Sequence, residues 1–153
     1  PLFMLLKTLK LKNTLWAMIL PYIAFRLPVS IMLIRSFFVG ISKEMEEAAI
    51  IDGATLFQIY KTIYLPLSKP IMSTVIIMTA YYAWNEFVFA TIFVDSSKLR
   101  TIPVGLMTFS DGLMTEWGVV LAGMVIACLP IMILFIAMQK NFVRGMTAGS
   151  VKG

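Results

Sequence analysis

Few residues in this chain could make or break a covalent bond. There is no histidine, and the single Cys128 lies inside an apolar run. His-dependent triads are excluded, the residue types speak against a conventional zinc site, and no nucleophile–base pair or metal cluster stands out. No Gly-rich phosphate loop ending in Lys and Ser or Thr is present, so nucleotide hydrolysis does not belong to this chain. Two groups of residues are left. Arg26, Asn85 and Glu86 are polar groups inside otherwise apolar runs. At membrane depth such groups face the bundle or a water-filled path, not lipid. The other group is Glu47–Pro66, EAAIIDGATLFQIYKTIYLP, which lies between two long apolar runs and is too polar and broken to be a third. If those runs are in lipid, this segment faces water, and its function is contact with something outside the membrane.

The elements that must position these groups follow from composition. The 153 residues are 59% hydrophobic and 14% charged, with a mean hydropathy of +0.89. A soluble domain has roughly 45–50% apolar and about 25% charged residues, so this is a membrane composition. The net charge of +5 comes from basic residues scattered singly between apolar spans, which fits membrane flanks and gives no nucleic-acid footprint. Three spans are expected, at about 15–38, 71–94 and 117–138, after a short apolar stub over residues 1–6 and a connector carrying Lys7, Lys10 and Lys12. The first run is continuous from Leu15 to Ile34, and Arg35, Phe37 and Phe38 carry it to the interface. Pro21 and Pro28 predict a kink in it, and Pro130 one in the third. In the third span Gly118 with Ala122 and Gly123 with Ala127 are small pairs four apart, which let another helix approach. Trp16, Trp84 and Trp117 read as interface anchors or packing. Between the second and third spans, Pro103 opens a short helix through Phe109, closed by Asp111-Gly112. The opening Pro1 suggests a fragment or processed product, and residues 1–6 read as the end of a span whose start is missing.

Within the segment 42–66 two short helices joined at a turn are expected. Ser42 is the first cap, and Glu44, Glu46 and Glu47 put negative charge in the first turns, where the helix dipole favours it. Asp52-Gly53 ends that helix, and Thr55 with Gln58 has the spacing of a capping box for the next. Leu56, Ile59, Tyr60, Ile63 and Tyr64 form one apolar face. Pro66 and Pro70 are expected to stop it.

Glu-Ala-Ala, three residues, Gly53, nine residues and then Ile63-Tyr64-Leu65-Pro66 resembles the EAA loop of ABC importer permeases. The likeness extends over nearly the whole chain through NTLWAMILPYIAFRLPVSIMLIRSFF, AWNEFVFA, RTIPVGL, EWGVVLAGMVIACLP and FVRGMTAGSVKG, in the order and spacing of the carbohydrate-uptake branch, the maltose-type sugar permeases. The resemblance implies an all-α polytopic transmembrane bundle that is no enzyme and binds no cofactor itself, ATP being held by a partner. It implies as partners a pair of ABC ATPase subunits, a second permease subunit and an extracellular sugar-binding protein, at a prokaryotic inner membrane. By the same resemblance Glu47, Ala48, Ala49, Asp52, Gly53, Ala54, Leu56, Phe57, Ile63, Leu65 and Pro66 form the ATPase-coupling loop. In it Glu47 meets a basic residue, Gly53 permits the turn, and Leu56 and Phe57 enter the ATPase cleft. Phe142, Arg144 and Thr147 of the tail are a further candidate contact, with a solvated tail as the alternative.

Seven basic residues on the loop and tail side against five on the other lean toward a cytoplasmic loop and C-terminus. Arg26 lies eleven residues from the outer end of its span (26 minus 15) and Glu86 eight (94 minus 86), a depth difference of roughly 5 Å. The two are therefore expected to approach and help line the sugar path, a structural ion pair without solute contact being the alternative. Competing readings are the same machinery for glycerol phosphate or a polyol, an ion-coupled carrier with midplane acidic groups, and a membrane enzyme.

Overall fold

The computed structural model describes residues 1–111 and 114–147. Apart from one two-residue ladder it is helical: α1 (Leu2–Thr8), α2 (Trp16–Val39), α3 (Lys43–Ile51), α4 (Leu56–Ile59), a wide π-type turn (Tyr60–Tyr64), α5 (Leu65–Leu67), α6 (Lys69–Asn85), α7 (Val88–Phe93), α8 (Ile102–Met107) and α9 (Trp117–Thr147). The ladder pairs Ser110 with Thr115 and Asp111 with Met114, antiparallel, where the sequence reading closes the loop at Asp111-Gly112.

Two of the described helices are long and apolar enough to cross a membrane: Trp16–Val39, with mean hydropathy 1.9, and Trp117–Gln139, with 2.9. Most of their large apolar side chains are exposed, among them Met32, Val125 and Ile133. A water-soluble fold hides such a stripe, whereas lipid accepts it. A further candidate comes from Leu56–Leu67 with Lys69–Asn85, a pair bent by 60°. The apolar run 71–94 is not one helix. It breaks at Glu86-Phe87, and Phe87 leaves helical geometry at φ −122° and ψ −40°.

The prolines act differently from a plain stop. Pro66 sits at the start of α5, directly after the π-type turn, and Pro70 in the first turn of α6. A proline ring presses on the carbonyl four residues back, here that of Thr62, and a widened turn absorbs that pressure while the chain stays helical.

The chain divides into two compact units. In the unit built from Pro1–Leu27 and Thr79–Phe135, Leu6, Ala17 and Phe93 form one buried cluster and Met18, Ala90 and Val94 another. Helix α7 thus packs by alternate turns against α1 and the start of α2. Helix α8 rests on α9 at Gly123, where a Cβ would lie 2.3 Å from Leu106 Cδ2. The indole N–H of Trp84 donates to the Ala127 carbonyl at 2.8 Å, three residues before Pro130, so this tryptophan is a packing residue. In the unit containing Pro28–Met78, Ile59, Ile71 and Ile77 are buried. Buried Ser73 and Thr74 return their hydroxyls to the carbonyls of Lys69 and Pro70, so neither hydroxyl is left without a partner.

Candidate functional site

The segment 42–67 builds a capped helix pair with exposed apolar side chains. Ser42 Oγ accepts the Glu44 N–H at 3.2 Å and opens α3. At its other end Gly53 takes φ +79°, and both bonds of a Schellman motif form: Gly53 N–H to the Ile50 carbonyl and Ala54 N–H to the Ala49 carbonyl. No atom lies within 4 Å of where a Gly53 Cβ would be, so backbone handedness, not space, requires the glycine. Two residues later Thr55 opens α4 with a reciprocal capping box, its N–H donating to Gln58 Oε1 at 2.8 Å and its Oγ1 accepting the Gln58 N–H at 3.4 Å.

These caps hold an apolar tip in the open. Leu56 is 77% exposed, Phe57 71% and Ile51 85%. Glu47 and Ala48 are exposed on α3, and Ala49 and Ala54 are half-buried. Asp52 caps the end of α3. Ile63 is half-buried, and Leu65 and Pro66 are exposed. Ile51 is absent from the sequence-derived set. Its signal was an apolar residue at the last position of a helix whose other face was already assigned. The pair is anchored at its base by the Tyr64 hydroxyl, which donates to Glu46 Oε2 at 2.6 Å, and by the Tyr64 ring, edge-on to Phe38 at 5.7 Å. The bond to Glu46 raises the Tyr64 phenol above the ordinary tyrosine value. The side chains of Phe142, Arg144 and Thr147 lie outside the described residues.

A second polar cluster lies in the other unit, around the break in the apolar run. Glu86 Oε1 accepts the Phe89 N–H at 2.7 Å, and Oε2 accepts the Ala90 N–H at 3.0 Å and the Tyr22 hydroxyl at 2.6 Å. The carboxylate is buried, and these three donors replace the water it has lost. The Arg26 guanidinium stands 5.1 Å from the centroid of the Tyr82 ring, a cation–π distance. Tyr82 meets Tyr22 edge to face at 5.9 Å. Arg26 and Glu86 are thus joined through two tyrosines. Both tyrosines were missed from sequence, although each lies four residues before its charged neighbour on one helical face. Asn85 is exposed and returns its amide to the Tyr81 carbonyl.

Helices of lipid-spanning length with exposed apolar faces, together with a capped helix pair that carries exposed apolar side chains, are the features of a membrane component. The chain belongs to the family of binding-protein-dependent transport system inner membrane components, whose model matches residues 1–148. It is an all-α, multi-pass membrane transport component.

Among its relatives, "Probable ABC transporter permease protein YurM" of Bacillus subtilis is 58% identical over 153 residues, covering 100% of this chain and 51% of the relative. The trehalose/maltose transport system permease protein MalG of Thermococcus litoralis is 40% identical over 154 residues, covering 99% and 55%. The arabinooligosaccharides transport system permease protein AraQ of Halalkalibacterium halodurans is 38% identical over 153 residues, covering 100% and 54%. The chain spans about half the length of the curated relatives it matches.

Proposed function

We propose that this chain is the coupling part of a permease subunit in an ATP-driven sugar importer. The observation that carries this reading is the helix pair α3–α5, capped at each internal end and holding Ile51, Leu56 and Phe57 out in water. Burying one such side chain in a partner groove is worth about 1.5–3 kcal/mol. Three together make the central cluster of an interface. The partner is a pair of ABC ATPase subunits, which hold the ATP. When their clefts close, the seated helices move, and α6 carries that movement from the loop into the membrane. In this arrangement the loop and the C-terminus are cytoplasmic, in a prokaryotic inner membrane. The spans are α2, then α6 with α7, then α9, and a second permease subunit and an extracellular sugar-binding protein complete the machine. Relatives are named for trehalose/maltose, arabinooligosaccharides and diacetylchitobiose, and one for sulfoquinovosyl glycerol, which is the ground for a sugar or glycoside over a free polyol or glycerol phosphate. Arg26 and Asn85 are the candidates for the solute path.

The test is co-purification of the full-length protein with its candidate ATPases, comparing wild type with Glu47→Ala and Phe57→Asp. Phe57→Asp is expected to weaken ATPase binding by about 30-fold or more, as for a hot-spot residue. Glu47→Ala is expected to leave the complex folded but to uncouple ATP hydrolysis from uptake. Full coupling in both variants overturns the loop assignment.

A further inference from the structure

Helix α7 is an island within the second apolar run. A helix broken inside a bilayer exposes backbone groups that lipid cannot satisfy. Here a side chain reaches the first turn of α7 and a backbone N–H its last carbonyl, and the groups from elsewhere in the chain that hold the two ends all lie within residues 12–22. At the inner end Glu86 accepts the Phe89 and Ala90 N–H groups and is itself fixed by the Tyr22 hydroxyl of α2. At the outer end the Asn13 N–H donates to the Phe93 carbonyl at 2.8 Å. Asn13 Oδ1 accepts the N–H groups of Asp95 and Ser96 at 3.1 and 2.8 Å. Lys12 pairs with Asp95 at 2.8 Å. Asn13 holds φ 60° to do this, a left-handed conformation that asparagine tolerates better than most residues. Between these ends Ala90 and Phe93 are buried in clusters with Ala17, Met18 and Leu6.

We propose that α7 moves as one body with α1 and the start of α2, and that Glu86-Phe87 is the hinge between this body and α6. Glu86 is then a positioning residue for transport, not a solute ligand. A carboxylate offers about four acceptor sites; three are occupied here by the protein's own donors, and the residue is 9% exposed. The break lets α6 follow the coupling helices while the far end of the span stays with its neighbour. The inference rests on the importer reading above.

The experiment uses the complete permease–ATPase complex with Cys128→Ser and two spin-label pairs, Trp16 with Ile92 and Tyr81 with Ile92, all exposed positions. Between the nucleotide-free and ATP-bound complexes the 16–92 distance is expected to stay fixed and the 81–92 distance to change. A changed 16–92 distance, or two unchanged ones, overturns the inference. Glu86→Gln is expected to lower the maximal uptake rate about tenfold with KM within about twofold of wild type, the pattern of lost positioning. A raised KM at an unchanged rate would make Glu86 a solute contact instead. Absence of ATP-driven uptake in the unmodified complex sinks the importer reading and this inference with it. A failed distance test with uptake intact sinks the inference alone.

Discussion

The coupling helices and the broken span face the same problem and answer it differently. Each has helix ends whose backbone groups need partners. In α3–α5 the partners are local: Ser42 reaches two residues ahead, Thr55 and Gln58 cap each other across three, and Gly53 turns the chain by its own conformation. Around α7 the first cap is also local, Glu86 accepting the amides three and four residues ahead, but distant groups complete it: Tyr22 lies 64 residues from Glu86, and Asn13 82 and 83 residues from the amides it accepts. The caps of the first region are exposed, so solvent can fill in for a lost one. In the second region the bonds of Asn13 are exposed too, but the Glu86 carboxylate is buried, where nothing replaces it, and both sets of contacts hold separate parts of the chain together.

That contrast can be broken by mutation. Glu86→Ala leaves two buried N–H groups and a hydroxyl without their acceptor, each costing about 1–3 kcal/mol. The expected outcome is the largest loss of thermal stability in the series, measured on the purified full-length protein. Gly53→Val forces a branched residue into the left-handed region, at roughly 1–2 kcal/mol or more. It is expected to abolish ATPase docking while the melting of the spans changes little. A loss of the spans as well would show that the two regions are not independent. Thr55→Ala removes one water-exposed cap, worth about 1 kcal/mol. It should weaken docking a few-fold, and Thr55→Ser should restore it.

The smallest effect concerns Tyr64. Its phenol is held above the ordinary tyrosine value by Glu46, so the bond's contribution is fully present below that ordinary value. It disappears as the pH rises through the folded one. Phenolate absorbance of the wild type against Glu46→Gln should show Tyr64 titrating at lower pH in the variant.

The contrast also explains what could be read from sequence. The two long spans follow from length and hydropathy, and the coupling pair from Ser42, Gly53, Thr55 and Gln58, because each of those signals acts within a few residues. The break at Glu86 was invisible. The Tyr22 hydroxyl that fixes the capping carboxylate comes from another helix, 64 residues away, and an apolar run reads the same whether or not it is interrupted. Trp84 reads as an interface anchor or a packing residue, and the Ala127 carbonyl, 43 residues away, decides for packing by taking its N–H. Arg26 and Glu86 were placed at similar depth by counting residues, but counting could not supply the two tyrosines between them. Pro66 was expected to end its helix. The π-type turn before it lets the chain continue, because a single residue's strain can be spread over five.

The Leu56–Leu67 rod meets α6 at 60°. In the proposed importer a push along the rod would resolve into a component of roughly one half along the axis of α6 and roughly nine-tenths across it, by the cosine and sine of that angle. The joint at Ser68 would then work as a crank and not as a piston. Under that proposal the motor's stroke would swing α6 sideways more than it drives it through the bilayer, which spares charged termini from being dragged into lipid.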